Sequence, residues 1–133
     1  MRSLNVLLAA FCLAACGEPG ANTPASAPAA SQEPTRLQTI PRPFHGVWAA
    51  TVEDCAKPAE TRLEITAERL KFYESSGPVA SADTSDPSEI LITVALTGEG
   101  AASQRTFRYR LIDDGSALFD VRNGLRRVRC PTL

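Results

Sequence analysis

The groups in this sequence with most capacity for chemistry are arginines. Arg108, Arg110, Arg122, Arg127 and Arg129 crowd the end of the chain. A guanidinium offers a planar fork of donors that fits a phosphate or carboxylate two bonds at a time, so several on one surface make an anion receptor. The rest of the chain has the opposite balance, with ten carboxylates against four bases in residues 53–99. Overall the formal charge is −1. A protein so nearly neutral is not a global polyanion binder, and no nucleic-acid partner is expected. Other reactive groups are sparse. His45 is the only histidine. The adjacent acids Glu53-Asp54 and Asp113-Asp114 either point apart on a strand or cap a turn. Asp83-Thr84-Ser85-Asp86-Pro87-Ser88-Glu89 offers oxygen ligands without the spacing or the glycine of a calcium loop. A Ser-His-Asp arrangement can be drawn only by choosing freely among serines. Neither a phosphate loop nor a dinucleotide fingerprint is present. Metal, cofactor and catalytic residues are all expected to be none.

Four cysteines, Cys12, Cys16, Cys55 and Cys130, are the second chemical feature. The first two lie at the N-terminus, where Arg2 precedes a largely apolar stretch from Leu4 to Ala15. That stretch is too short to cross ~30 Å of hydrocarbon, which takes about 20 residues, and reads as a secretory signal. It ends in Leu13-Ala14-Ala15-Cys16, which resembles the lipobox of bacterial lipoproteins. The resemblance implies a diacylglyceryl group on the Cys16 thiol, cleavage after residue 15, and acylation of the new amino group. Several acyl chains, at ~0.8 kcal/mol per buried CH₂, exceed what stable membrane anchoring needs. In that family an aspartate after the cysteine retains the protein at the inner membrane, so Gly17 implies the periplasmic face of the outer membrane. An ordinary signal peptide with an incidental cysteine is the alternative.

With Cys12 removed and Cys16 lipidated, Cys55 and Cys130 are left to pair in an oxidising compartment. Their loop would encompass most of the folded part, and chain entropy assigns such a bridge roughly 4–5 kcal/mol. A zinc site would want more ligands, and a redox pair would usually read Cys-x-x-Cys. Between lipid and fold, residues 17–43 hold six of the ten prolines, five alanines and no aromatic residue. Such a composition cannot bury enough apolar surface to offset its ordering entropy. The expected organisation is therefore a signal peptide at 1–15, lipidated Cys16 with a disordered tether to 43, and one domain over 44–133. As a flexible coil the tether would reach about 30 Å.

The elements that must position these groups read as β throughout. Runs rich in Val, Ile, Thr, Phe and Tyr recur between Gly, Pro, Asp and Asn clusters, giving strands at 46–53, 62–66, 69–74, 78–83, 89–97, 104–112, 117–122 and 125–130. Short turns make them an up-and-down antiparallel barrel or strongly curled sheet of about eight strands. Asn123-Gly124 is a strong two-residue hairpin signal and pairs Phe119 with Val128 and Asp120 with Arg127. At Asp113-Asp114-Gly115 a two-residue loop would set Phe119 opposite Arg110, whereas a three-residue loop sets Tyr109 opposite Phe119. Hydrophobic consistency selects the second. One face then carries Phe107, Tyr109, Leu111, Phe119, Val121, Val128 and Cys130. The other carries Arg108, Arg110, Arg122, Arg127 and Arg129 around the single Asp120. That face is either an anion-binding surface for envelope phosphates or an acidic partner, or a solvated sheet with an Arg108–Asp120–Arg127 ladder.

Phe44-His45-Gly46-Val47-Trp48 opens the domain, and its Gly-x-Trp resembles the calycin superfamily. There the tryptophan plugs one barrel end and an arginine of the last strand lies across it, a role that falls first to Arg126 and second to Arg129. Phe44-x-Gly46-x-Trp48, Cys55, Leu70-Lys71-Phe72-Tyr73-Glu74-Ser75 and Arg129-Cys130 together resemble small alphaproteobacterial lipoproteins of unassigned function. This resemblance implies no activity. The reading that results is a non-enzymatic binding or envelope-structural module anchored by lipid at the outer membrane, partnered by an anionic envelope component or an envelope protein. The alternatives are an inhibitor of a periplasmic hydrolase, of lysozyme or protease type, an enzyme, and a small-ligand carrier.

Overall fold

The computed structural model describes residues 35–132. The expected signal peptide, the expected lipidation site Cys16 and the part of the expected tether up to residue 34 lie outside the described residues. Nine strands follow: β1 (Thr35–Leu37), β2 (Gly46–Ala49), β3 (Leu63–Ile65), β4 (Arg69–Lys71), β5 (Ser76–Asp86), β6 (Glu89–Gly98), β7 (Ala101–Ile112), β8 (Ala117–Asp120) and β9 (Leu125–Arg129). From β2 onward each strand pairs antiparallel with the next, and β9 returns to β2, so eight strands close an up-and-down barrel. The ninth, β1, lies along the second half of β5, past the short stretch that β4 covers.

Alternation builds the interior. In β6 the side chains of Ile90, Ile92, Val94 and Leu96 are buried one after another at every second position, as a strand with one covered face requires. Trp48, Leu63, Ile65, Leu70, Tyr109 and Leu118 meet them from the other strands. A register shift between Val79 and Ser81 bends the long β5, one of the ways a sheet curls far enough to close. Where β5 presses on β6, Gly77 is obligatory: a Cβ there would overlap the carbonyl of Ala95.

Two parts of the sequence reading change. Residues 35–43, assigned to the tether, belong to the barrel: Thr35 to Leu37 pair with Thr84 to Ala82, and Ile40 is 2% exposed. A three-residue strand and one isoleucine among prolines are too short for any periodicity to reveal. The register of β7, β8 and β9 is also displaced. Tyr109 faces Asp120 and Arg110 faces Phe119, while Phe119 faces Arg126 and Leu118 faces Arg127. Both connecting loops are wider than expected, Asp113 to Ser116 and Val121 to Gly124. The second is held open by the last residue of β8, because Asp120 Oδ1 accepts the backbone N–H groups of Arg122 and Asn123 at 3.1 and 3.3 Å. Asn123 Nδ2 adds a bond to Asp120 Oδ2 at 3.1 Å. That capped loop outcompetes the tight turn at Asn123-Gly124. Glu99-Gly100 makes a two-residue turn instead, both residues left-handed at φ 47° and 79°, the backbone that a type I′ hairpin needs.

Antiparallel order gives the barrel two distinct ends. The β3–β4, β5–β6 and β7–β8 loops share one end, and the β2–β3, β4–β5, β6–β7 and β8–β9 loops share the other.

Candidate functional site

The displaced register decides what the arginines can do. Arg108 and Arg110 point outward as expected, but both converge on Glu89, with Arg110 Nε donating to Oε2 at 2.8 Å and Arg108 Nε 3.6 Å from Oε1. Arg122 lies in the β8–β9 loop and donates from Nη1 to the Thr106 carbonyl at 3.0 Å. Arg127 and Arg129 turn inward. The five therefore do not form one outward face, because the slip exchanges the two sides of β9. Arg126, expected to be inward, is the residue sent outside, where its Nη2 meets Asp113 Oδ2 at 2.7 Å.

Arg129 takes the place across Trp48. Its Cζ sits 4.1 Å from the indole centroid. Nη1 donates to the His45 carbonyl at 2.6 Å, Nη2 to the Pro43 carbonyl at 2.7 Å, and both Nε and Nη2 to Gly115. One side chain thus ties the incoming segment, β9 and the β7–β8 loop over the ring. Burial pulls its guanidinium below the ordinary range. Trp48 donates its Nε1–H to the Phe44 carbonyl at 3.0 Å, and Ile40 N–H reaches the Ala67 carbonyl of the β3–β4 loop at 2.8 Å. This end is plugged. His45 donates from Nε2 to the Ile40 carbonyl at 2.7 Å, so its ring serves the plug.

Deeper in the barrel, Arg127 is 5% exposed and Asp120 2%. Arg127 Nε donates to the Thr61 carbonyl at 2.7 Å, while Nη1 lies 4.0 Å from Asp120 Oδ2. Nη1 and the Tyr109 hydroxyl have no hydrogen-bond partner among the described residues. Burial, above all, drives the Tyr109 phenol far above its usual range, against the pull of the Arg127 charge. Burial likewise lowers Arg127, with Tyr109 and Asp120 opposing it. Sequence reasoning placed Asp120 and Arg127 on the outward face, as part of an anion-binding surface or of a solvated ladder; the structure makes them neighbours inside the barrel instead.

The open end carries the clefts. One, about 490 Å³, has an aromatic floor of Phe72 and Phe107, with Glu60, Glu74, Glu99 and Arg105 around it. The two floor rings lie 5.0 Å apart, and Phe107 in turn stacks on Tyr109 at 5.8 Å. A second cleft of about 410 Å³ opens between β7 and the β8–β9 loop, beside Arg105, Arg122, Gln104 and Asn123. A third groove, about 420 Å³, runs between residues 55–59 and Lys71–Tyr73. Tyr73, 52% exposed, borders two of the three. None of these was read from the sequence. The signal available was Tyr73 itself, an aromatic residue in a turn.

Cys55 and Cys130 are joined, their Cα atoms 5.5 Å apart, as expected. Of the acids, Asp54 accepts from Thr61 Oγ1 at 3.2 Å, and Asp86 Oδ1 accepts from Ser88 Oγ at 2.6 Å and from Ser88 N–H at 2.7 Å, bonds that lower its carboxyl below the usual range. No group of three or more metal-ligating side chains occurs among the described residues. No protein-family model, curated protein or solved structure matches this chain.

Proposed function

We propose that this protein is a non-enzymatic binding module of the cell envelope, anchored at the periplasmic face of the outer membrane through lipid on Cys16, and that the open barrel end is its working surface. The observation that carries this reading is the difference between the two ends. One is sealed by Trp48, Arg129 and the incoming segment. The other presents an aromatic-floored cleft and an exposed tyrosine, the kind of side chain that dominates protein contacts. The interior between them is filled by Trp48, Leu63, Leu118 and Tyr109, all at 0% exposure, which leaves the rim for recognition. An eight-stranded barrel has just enough interior for side chains or one small ligand, and here the side chains occupy it.

The test is site-specific photo-crosslinking in cells producing the full chain. A benzophenone amino acid replaces Tyr73 at the open end or Ser88 at the plugged end. Adducts are expected from position 73 and absent from position 88. Adducts from both positions equally, or from neither, overturn the reading.

A further inference from the structure

Strand β7 outruns its neighbour on one side. It pairs with β6 from Ala101 to Arg110 but with β8 only from Tyr109 to Ile112. In an antiparallel ladder the N–H and C=O of one residue point to the same neighbouring strand, and successive residues alternate. Arg108 C=O accepts from Val121 N–H at 3.0 Å, so Arg108 addresses the β8 side. By alternation Thr106, Gln104 and Ala102 address it too. Arg122 Nη1 on the Thr106 carbonyl confirms the direction. Past that contact β8 has ended, and among the described residues no strand lies against Gln104 or Ala102. Residues 101–105 are all exposed.

This free edge is held in shape. Its opposite side is paired to β6 without a break down to Gly98–Ala101, next to the two-residue turn. A rigid strand edge of this kind accepts a further extended chain through main-chain hydrogen bonds, while neighbouring side chains choose which chain. Here the choice is electrostatic. Arg105 and Arg122 flank the edge in the cleft beside it, and neither has an ion-pair partner among the described residues. Asp120 also borders that cleft, but it is 2% exposed and its oxygens are engaged by the loop. Glu99, at the tip, is the only acid in residues 95–106. A second copy adding its own β7 edge about a two-fold axis would bring like charges together, which disfavours self-pairing.

The geometry points to the β7 edge from Ala102 to Thr106 as a docking site for an extended, acidic peptide segment of a partner protein, which adds to the sheet as an antiparallel or parallel strand. This site rests on the reading of the open end as the contact surface and names the class of partner that surface takes.

The test uses the mature chain carrying Cys16→Ser and two labelled octapeptides, one alternating valine with glutamate and the other valine with lysine. The acidic peptide should bind at least about tenfold tighter by fluorescence anisotropy, and saturation should slow amide hydrogen exchange at Gln104 and Thr106. Gln104→Pro deletes a donor on the free side alone, which an edge strand tolerates. It should cut affinity about tenfold with an unchanged thermal midpoint. Arg105→Glu should reverse the peptide preference, and it carries the test alone if the proline variant misfolds. Equal binding of both peptides, binding of neither, or unchanged exchange at Gln104 and Thr106 overturns the site. So does protection that grows with protein concentration without peptide, which would mean a second copy occupies the edge. Crosslinking from position 73 separates the two conclusions: if it persists when the peptides fail, only strand addition falls.

Discussion

At the scale of single residues, Arg129 and Arg126 exchange the roles that side-chain alternation alone would assign them, and the exchange is measurable. Arg129 stacks on Trp48 and bonds to three backbone carbonyls, so its removal unpairs partly buried oxygens as well as deleting a cation–π contact. Arg129→Ala is expected to cost roughly 2–3 kcal/mol, since one hydrogen bond from a charged group contributes ~1.5–3 kcal/mol and the stack adds ~0.5–2 kcal/mol, offset by water reaching the vacated carbonyls. Arg129→Lys should recover little, because an ammonium cannot reproduce the fork. Arg126, half exposed with its partner Asp113 equally so, should tolerate alanine to within about 0.5 kcal/mol. Urea unfolding of the three variants checks the order. Equal losses at positions 126 and 129 would contradict the observed register. Arg127 belongs to a different class, since its guanidinium is held in the barrel by Thr61 and lies at the limit of ion pairing with Asp120.

At the scale of elements, the disulfide has the broadest effect. It fixes the short 3-10 turn Glu53–Ala56 beside the end of β9, and Cys130 N–H reaches the Val47 carbonyl at 2.8 Å, so the bridge staples the seam where the barrel closes. With a sequence separation of 75, loop-entropy reasoning assigns about 4 kcal/mol to it. Replacing both cysteines by serine should lower unfolding free energy by that order, a large share of the 5–15 kcal/mol typical of a small domain. A loss below about 1 kcal/mol would mean the reduced chain is already constrained there. The bridge and the strands were legible because each depends on local facts: cysteine count, and alternation such as Ile90, Ile92 and Val94. Register was not legible, because it turned on a competition between loops. Asn123-Gly124 favours a tight turn by itself, yet the Asp120 carboxylate collects three donors from the wider loop. A rule that keeps charges off the core face then rejected the true alignment, since Asp120 and Arg127 go in together. The free edge of β7 escaped notice for a different reason. Its Ala101-Ala102-Ser103 run has no apolar alternation and falls before the strand expected from residue 104, yet pairing with β6 makes it strand.

At the scale of the whole molecule, the barrel is polar in the geometric sense. The chain joins it at β1, where Thr35 lies opposite Thr84, close to the β5–β6 loop at the plugged end. The segment between β1 and β2 then seals that end, and the clefts and the free β7 edge sit at the far one. The chain therefore enters the barrel at the end opposite the clefts. The sequence that precedes this entry supplies the remaining prediction, at Cys16. If Leu13-Ala14-Ala15-Cys16 directs lipidation, Cys16→Ser should abolish incorporation of labelled fatty acid and release the protein into the soluble fraction, since ~0.8 kcal/mol per buried CH₂ is what holds it to the bilayer. Gly17→Asp should keep the label but move the protein to inner-membrane fractions on a density gradient. The disulfide should form in both variants, because neither change touches the barrel. Fatty-acid label persisting in Cys16→Ser would sink the anchor, and an unchanged gradient position for Gly17→Asp would remove the argument for the outer membrane while leaving lipidation intact.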